Sequence, residues 1–361
     1  MLSVTRRDPL ALTALLALLA LPVAAQDSAQ ADGGPKPPKR LWTAHDPVSF
    51  RLTADFKQAF RDRDTTKQEW VPGTFSFTEG ERTVTVPVEV TTRGHYRLKY
   101  CSFPMLRVRL PNDSLKGTLF QGQGTIKVST HCKTGNKRLE EVVVQDYFTY
   151  RIYNLLSDMS FRVRLAKATY VNTGEPDKPP VETWGFFLED EDDMAKRAGG
   201  KTYELENVAD QSKMVMWGSA EPEQSALMSV FAYMVGFSDF SVPYQHNARV
   251  IQTAMGYFPV PYDFDWSGLV DAPYARPDYR LNTKSVRERV WRGPDCIEDG
   301  LMTGVLAKFR AQKDSIWNLY QTQTILDQKR VKESLDYLQE FYKIIDDPRM
   351  VRRELQGKCG G

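Results

Sequence analysis

The stretch RTVTVPVEVTTRG, residues 82–94, decides how the first half of the chain is read. Thr, Val and Arg follow one another in a two-residue rhythm up to the break at Gly94, which is the spacing of a strand with one face turned to a core. The rhythm returns in PMLRVRLP (104–111), so the segment from Phe50 to about Val128 is expected to be antiparallel sheet. Further along, KRLEEVVVQDYFTYRIYNLLSD (137–158) changes period. Val143, Tyr147 and Tyr150 recur at four- and three-residue steps, with Leu155 beyond them, as on one buried face of a helix. Strands resume in FRVRLAKATYVNT (161–173) and VETWGFFLED (181–190).

A break at AKRAGGKTYELENVADQ (195–211) opens a second region. Its first helix starts near Glu221. Strands and loops then run to about Tyr279, and the chain ends in a helical period with charged outer positions, as in SIWNLYQTQTILDQKRVKESLDYLQEFYKIIDD (315–347). The expected architecture is α+β in two lobes, with a cleft between them. Residues 41–200 would form a β-rich N-terminal lobe with one helix, and residues 201–361 an α-rich C-terminal lobe.

The chain starts MLSVTRRDPLALTALLALLALPVAAQ, with Arg6 and Arg7 ahead of an apolar run from Leu10 to Leu21 and small residues through Ala25. This has the three-part form of a secretory signal over residues 1–25, too short to span a bilayer comfortably. Residues 26–40, polar and rich in Pro and Gly, read as a flexible leader. No later segment offers the roughly 18 consecutive apolar residues of a membrane helix. The expectation is an exported protein, periplasmic or secreted, with no transmembrane segment after signal cleavage. The four cysteines suit an oxidising compartment, and the expected disulfides are Cys101 with Cys132 and Cys296 with Cys359. Zinc is the weaker rival, because no two cysteines stand at C-x-x-C spacing. A net charge of +2 from bases spread along the whole chain gives no reason to expect a nucleic-acid partner.

One stretch carries candidate chemistry. MVGFSDFSVPYQHNARVIQTAMGYFPVPYDFDWSG (234–268) places Asp239, His246, Asn247, Asp263 and Asp265 among Val, Phe and Tyr, where ionised groups are costly to bury. Either the carboxylates lie in loops facing water or they converge on something positively charged. Asp239 would begin a loop after a helix, Asn247 leads into the strand ARVIQ, and the strand YFPVPYDFD ends in Asp263 and Asp265. Two loops at the ends of neighbouring strands bring these residues to a common point. Phosphoryl transfer uses such a set, one carboxylate orienting the attacking hydroxyl and Asn with a second carboxylate holding Mg²⁺. The plainer reading is that they cap turns. His246 is expected to hydrogen-bond within its loop, His95 and His131 to sit on strand surfaces, and the run EDEDD (189–193) to be a solvated helix start. A Ser241–His246–Asp239 hydrolase would lack the G-x-S-x-G elbow.

These segments together resemble the spore-coat protein H (CotH) kinase family of atypical protein kinase-like proteins, and more closely its exported bacterial relatives of unassigned role. TVPVEVTTRGHYRLKYCSFPMLRVRL and GTIKVSTHC look like its first-lobe strands, VVVQDYFTYRIYNLLSDMSFRVRL its first helix and next strand, WGFFLEDEDDMAKRAG its lobe-connecting segment, and VPYDFDWSGLV its metal loop. The resemblance implies a two-lobed protein kinase-like fold and Mg²⁺–ATP-dependent phosphoryl transfer to a Ser or Thr hydroxyl of a protein. It makes Asp239 the catalytic carboxylate and Asn247 a metal ligand, with Asp263 and Asp265 competing for the remaining metal role. Lys127 would pair with nucleotide phosphates and Asp146 would be its acidic partner, although the family pattern usually has Glu there; the plainer reading of Lys127 is an exposed strand lysine. No Gly-x-Gly-x-x-Gly loop is present; Gly122 and Gly124 in GTLFQGQGT (117–125) would either cover phosphates with their backbone NH groups or simply form a hairpin turn. Because an exported protein meets little ATP, the alternative is a catalytically silent binding or scaffold protein of the cell envelope.

Overall fold

The computed structural model describes residues 34–356; the signal segment, Cys359 and therefore the expected Cys296–Cys359 pair lie outside the described residues. Seven strands come first: β1 (Val48–Ala54), β2 (Val71–Glu79), β3 (Arg82–Thr92), β4 (Leu106–Arg109), β5 (Thr125–Ser129), β6 (Val163–Asn172) and β7 (Val181–Leu188). They close into a barrel in the order β1-β2-β3-β4-β5-β7-β6. Closure comes from β1 lying parallel to β6, in register from Val48 opposite Ala166 to Ala54 opposite Asn172, while the pairing of β2 with β3 and of β6 with β7 is antiparallel. Alternate strand residues point inward, so Phe50, Phe75 and Phe187 pack together in the barrel core, joined by Phe120 from the β4–β5 connection, with Phe75 to Phe120 at 5.0 Å and Phe120 to Phe187 at 5.3 Å between ring centroids.

A closed barrel is not a two-lobed protein kinase-like fold, and that expectation is overturned, although the α+β class stands. The local alternation is the same in an open and a closed sheet; the parallel β1–β6 pairing distinguishes them, and it joins segments far apart in the chain.

Two short helices, α1 (Phe56–Ala59) and α2 (Tyr96–Tyr100), sit between barrel strands, and α3 (Lys137–Leu156) connects β5 to β6. Asn136 caps α3 by accepting the Leu139 amide proton. The helix is buried on nearly its whole circumference, not along one stripe, because it touches β7 on one side and helices of the following region on the other. Gln145 and Asp146 are consequently taken inside, whereas Leu155 is only half-buried.

The chain continues through α4 (Glu191–Arg197), α5 (Pro222–Val235), and a three-stranded antiparallel sheet of β8 (Lys201–Tyr203), β9 (Ala248–Thr253) and β10 (Gly256–Pro261), ordered β10-β9-β8. It ends in α6 (Asp299–Ala311), α7 (Lys313–Gln321), α8 (Gln328–Ile345) and α9 (Pro348–Glu354). Helix α5 starts where Glu221 accepts the amide protons of Glu223 and Gln224 ahead of Pro222. It stops at Gly236, whose φ of 65° and whose closeness to the Tyr337 hydroxyl and Gly268 admit no side chain. That stop aims the following loop, which carries Asp239.

The disulfide Cys101–Cys132 forms, which is compatible with an exported protein. No helix among the described residues is long and apolar enough to cross a membrane. Residues 34–40 lie against the body: the Lys36 amide donates to Lys196 O, and Lys39 Nζ bridges Gly122 O and Asp193.

Candidate functional site

Beyond Gly236 the chain makes a tight loop closed by a backbone bridge between Ser241 and His246. Gln245 and Asn247 take left-handed backbone angles, φ 49° and 47°. This geometry turns three side chains onto one another. His246 Nε2 lies 3.1 Å from Asp239 Oδ1, and Asn247 Nδ2 donates to Asp239 O at 2.8 Å and to Asp239 Oδ2 at 3.2 Å. The hydrogen bond to Asp239 raises the His246 pKa, against partial burial. Ser241 Oγ accepts from the Tyr244 amide at 3.4 Å, and among the described residues the His246 ring meets Asp239 and Asn247, not Ser241.

The β9–β10 hairpin brings the second loop alongside. Ala248 is opposite Pro261, and the Tyr262 amide donates to Asn247 O at 3.1 Å. Asp263 follows in the left-handed region, φ 64°, with its amide donating to the Tyr150 hydroxyl of α3 at 2.7 Å. A 3-10 turn over Phe264–Trp266 then points Asp265 inward, where Oδ2 accepts from the Tyr274 hydroxyl at 2.7 Å. Asp146 of α3 meets the Phe264 amide from the other side.

The positive charge these carboxylates face is Arg97 of α2, with Arg93 just after β3. Arg97 Nη2 donates to Thr130 O, while its Nε and Nη1, the Nε of Arg93 and the Oδ1 of Asp146 are buried with no hydrogen-bond partner among the described residues. Arg97, Asp146 and Asp265 are 3%, 2% and 5% exposed. Burial opposes the charge of Arg97, yet Tyr274, Asp265, Asp146 and Asp263 outweigh it and hold its pKa above the ordinary value. Burial, then the neighbouring Asp265 and Asp263, push the Asp146 carboxyl well above the usual range; burial and Asp263 push Asp265 up to about 7.

Lys127 of β5 does not meet Asp146. Its Nζ is 3.5 Å from Asp190 Oδ2, and burial lowers its pKa against the pull of Glu191 and Asp190. Opposite it on β7 stands Leu188, so the chain leaving β7 supplies the partner. The whole EDEDD run proves to be paired. Glu189 binds Arg197 at 2.9 Å, Glu191 binds Arg249, Asp192 accepts from Thr202 at 3.2 Å and Asp193 binds Lys39. Gly122 and Gly124 both have positive φ, 73° and 59°, in the turn before β5, where Gly122 O takes Lys39. His131 is not on a strand surface: it is fully buried beside Phe103.

Sequence reasoning passed over Arg93 and Arg97. Between Glu89 and Asp113 the chain has Arg93, Arg97, Lys99, Arg107 and Arg109 and no acid, an imbalance that exposed bases produce as readily as buried ones.

Among the described residues no three His, Cys, Asp or Glu side chains stand together as a metal-binding group. Mg²⁺ does not require one, since it is commonly held by one or two carboxylates together with waters and substrate phosphates. The available donors, carboxylates and an amide, are the hard oxygens it prefers, and the unpartnered Asp146 Oδ1 is among them. No family model matches the chain, and no curated protein matches it.

Proposed function

We propose that this cluster binds a magnesium–nucleoside triphosphate, ATP on the resemblance to the spore-coat protein H family, and transfers its terminal phosphoryl group to a protein Ser or Thr hydroxyl. The reading rests on the site and not on the barrel, because fold and function are separable. The observation that carries it is the pairing of unmet needs in one place. Among the described residues, buried guanidinium nitrogens of Arg97 and Arg93 have no acceptor, and a buried oxygen of Asp146 has no donor or cation. A phosphate carrying a divalent cation satisfies both, whereas either ion alone leaves the other group unsatisfied at a cost of about 1–3 kcal/mol or more.

In this scheme Arg93 and Arg97 take phosphate oxygens, for which the guanidinium fork is suited, and Lys127 approaches from β5. Asp263 and Asp265, with Asn247 or Asp146, would hold Mg²⁺. When bound, the ion neutralises phosphate charge and so lowers the barrier to transfer. Asp239 is half-exposed and is fixed by His246 and Asn247. In this scheme it would orient the acceptor hydroxyl and take its proton as the new oxygen–phosphorus bond forms and the bond to the β-phosphate oxygen breaks, releasing the nucleoside diphosphate.

Thermal unfolding of the oxidised protein tests the binding step. A ligand at a hundred times its Kd stabilises by about 2.7 kcal/mol, a rise in Tm of roughly 4 °C for a chain of this size. Mg²⁺–ATP should produce this rise in the parent, and the Asp263→Asn, Asp265→Asn double variant should abolish it. Asn is chosen because it tolerates the left-handed backbone of residue 263. A parent that melts at the same temperature with millimolar Mg²⁺–ATP would defeat the proposal and favour the envelope-scaffold reading.

A further inference from the structure

Two arginines outside the cluster described above lie largely inside the protein with no acid to pair with. Arg151, near the end of α3, is 7% exposed, and Arg164, at the start of β6, is 6% exposed. Among the described residues neither meets a carboxylate: Arg151 Nη1 donates to the Tyr147 hydroxyl at 3.2 Å, and Arg164 donates through Nε to Asp46 O and through Nη1 to Leu41 O at 3.3 Å. Guanidinium groups taken so far from water are seldom left without an opposite charge. The two backbone bonds lay the chain that leads into β1 across Arg164, and that chain carries His45, which is exposed. Burial, then the charges of Arg151, Arg164 and Arg162, hold the His45 ring down to about 4, so three guanidiniums gather beside an imidazole that is neutral at pH 7. The acids in reach are Asp46, which makes no ion pair among the described residues, and Asp158, which Arg162 holds at 2.7 Å. Both inner arginines keep one end of the fork open. Arg151 Nε is buried with no partner, while Nη2 of Arg151 and Nη2 of Arg164 make no hydrogen bond among the described residues and are not enclosed.

We propose that this face, between the end of α3, the start of β6 and the chain before β1, binds a tetrahedral oxyanion of the phosphate class, with Arg151 and Arg164 donating from Nη2 and with Arg162 and His45 at its rim. The guanidinium fork matches phosphate oxygens in geometry as well as charge. Three such groups against Asp46 and Asp158 leave positive charge over, which an incoming anion offsets where it is least screened by water. The site uses none of the residues assigned to phosphoryl transfer, so it stands or falls separately from that reading.

NMR of the histidine ring signals of the oxidised chain at pH 7 tests it, with inorganic phosphate as the probe. The chain has four histidines, His45, His95, His131 and His246, and His45→Gln identifies the signal that matters. Phosphate should move the His45 signal saturably with a half-effect below about 10 mM, and chloride at equal ionic strength should not. Arg151→Met should raise the half-effect concentration by about tenfold, and Arg162→Ala, a change at the rim, by about threefold. Thermal melts establish which variants fold, and Arg162→Ala carries the comparison if Arg151→Met does not. Phosphate taken up at the magnesium–triphosphate site would instead move His131, which stands near the Arg97 charge, so the two readings separate in one spectrum. A His45 signal unmoved at about 50 mM phosphate, one that chloride moves equally, or folded variants that respond as the parent does would each overturn the assignment.

Discussion

His131 makes the fold sensitive to acid in a way that can be worked through. The ring is 0% exposed; Nε2 lies 2.8 Å from the Thr134 hydroxyl, and Nδ1 has no partner among the described residues. Burial, with the Arg97 charge adding to it, lowers its pKa from the ordinary 6.5 to about 4. The unfolded chain therefore binds a proton that the folded chain refuses throughout the interval from pH 6.5 down to about 4. Stability from this group is complete above pH 6.5, falls as the pH drops through that interval, and levels off below about 4. At pH 4.5 the two values imply a loss of about 2.5 kcal/mol relative to pH 7.5. Replacing His131 with Phe removes the titration and keeps the contacts with Phe103. The Thr134 hydrogen bond goes too, worth about 1 kcal/mol at either pH. Urea unfolding of parent and His131→Phe at pH 4.5 and 7.5 provides the comparison. The variant should be the weaker of the two at pH 7.5 and the stronger at pH 4.5, with the gap between them moving by about 2.5 kcal/mol. A gap that stays constant to within about 0.5 kcal/mol would refute the reasoning, since it would mean that His131 titrates alike in both states.

Two further outcomes follow from the backbone. Gly236→Ala should destabilise by more than about 2 kcal/mol in urea, because a Cβ at a left-handed position would also press on the Tyr337 hydroxyl. An unchanged midpoint would show that the turn feeding Asp239 can rearrange. The Cys101–Cys132 bridge spans 31 residues, so the Cys101→Ala, Cys132→Ala pair should lose about 3–4 kcal/mol, and a loss below about 1 kcal/mol would mean that the unfolded chain is already restricted there.

Much of the local structure was written in residue patterns. The alternation of residues 82–94 and 104–111 became β3 and β4, and Glu221 with Pro222 marked the start of α5. The hairpin of β9 and β10 sets Asn247 beside the loop of Asp263, as the two apolar strands between them suggested. What was not legible depends on long-range pairing. Nothing local in Val48–Ala54 reveals a parallel partner at Val163–Asn172, and without that pairing a barrel looks like an open sheet. Helix α3 shows one apolar stripe in its sequence; packing on several sides buries the rest, and Asp146 with it. Lys127 found Asp190 because strand register put the end of β7 next to it. Arg93 and Arg97 looked like ordinary surface bases until the loops of Asp263 and Asp265 were brought over them in space.

Phosphoryl transfer itself is the claim to test most directly, by following release of ADP and incorporation of labelled phosphate from γ-labelled ATP in Mg²⁺, for the parent and for Asp239→Asn. The account predicts turnover by the parent, with label on the chain or on an added Ser- and Thr-containing protein, and a fall of at least about a hundredfold in Asp239→Asn with Mg²⁺–ATP binding retained. Parent protein that binds Mg²⁺–ATP yet releases no ADP, or an Asp239→Asn variant as fast as the parent, would contradict it.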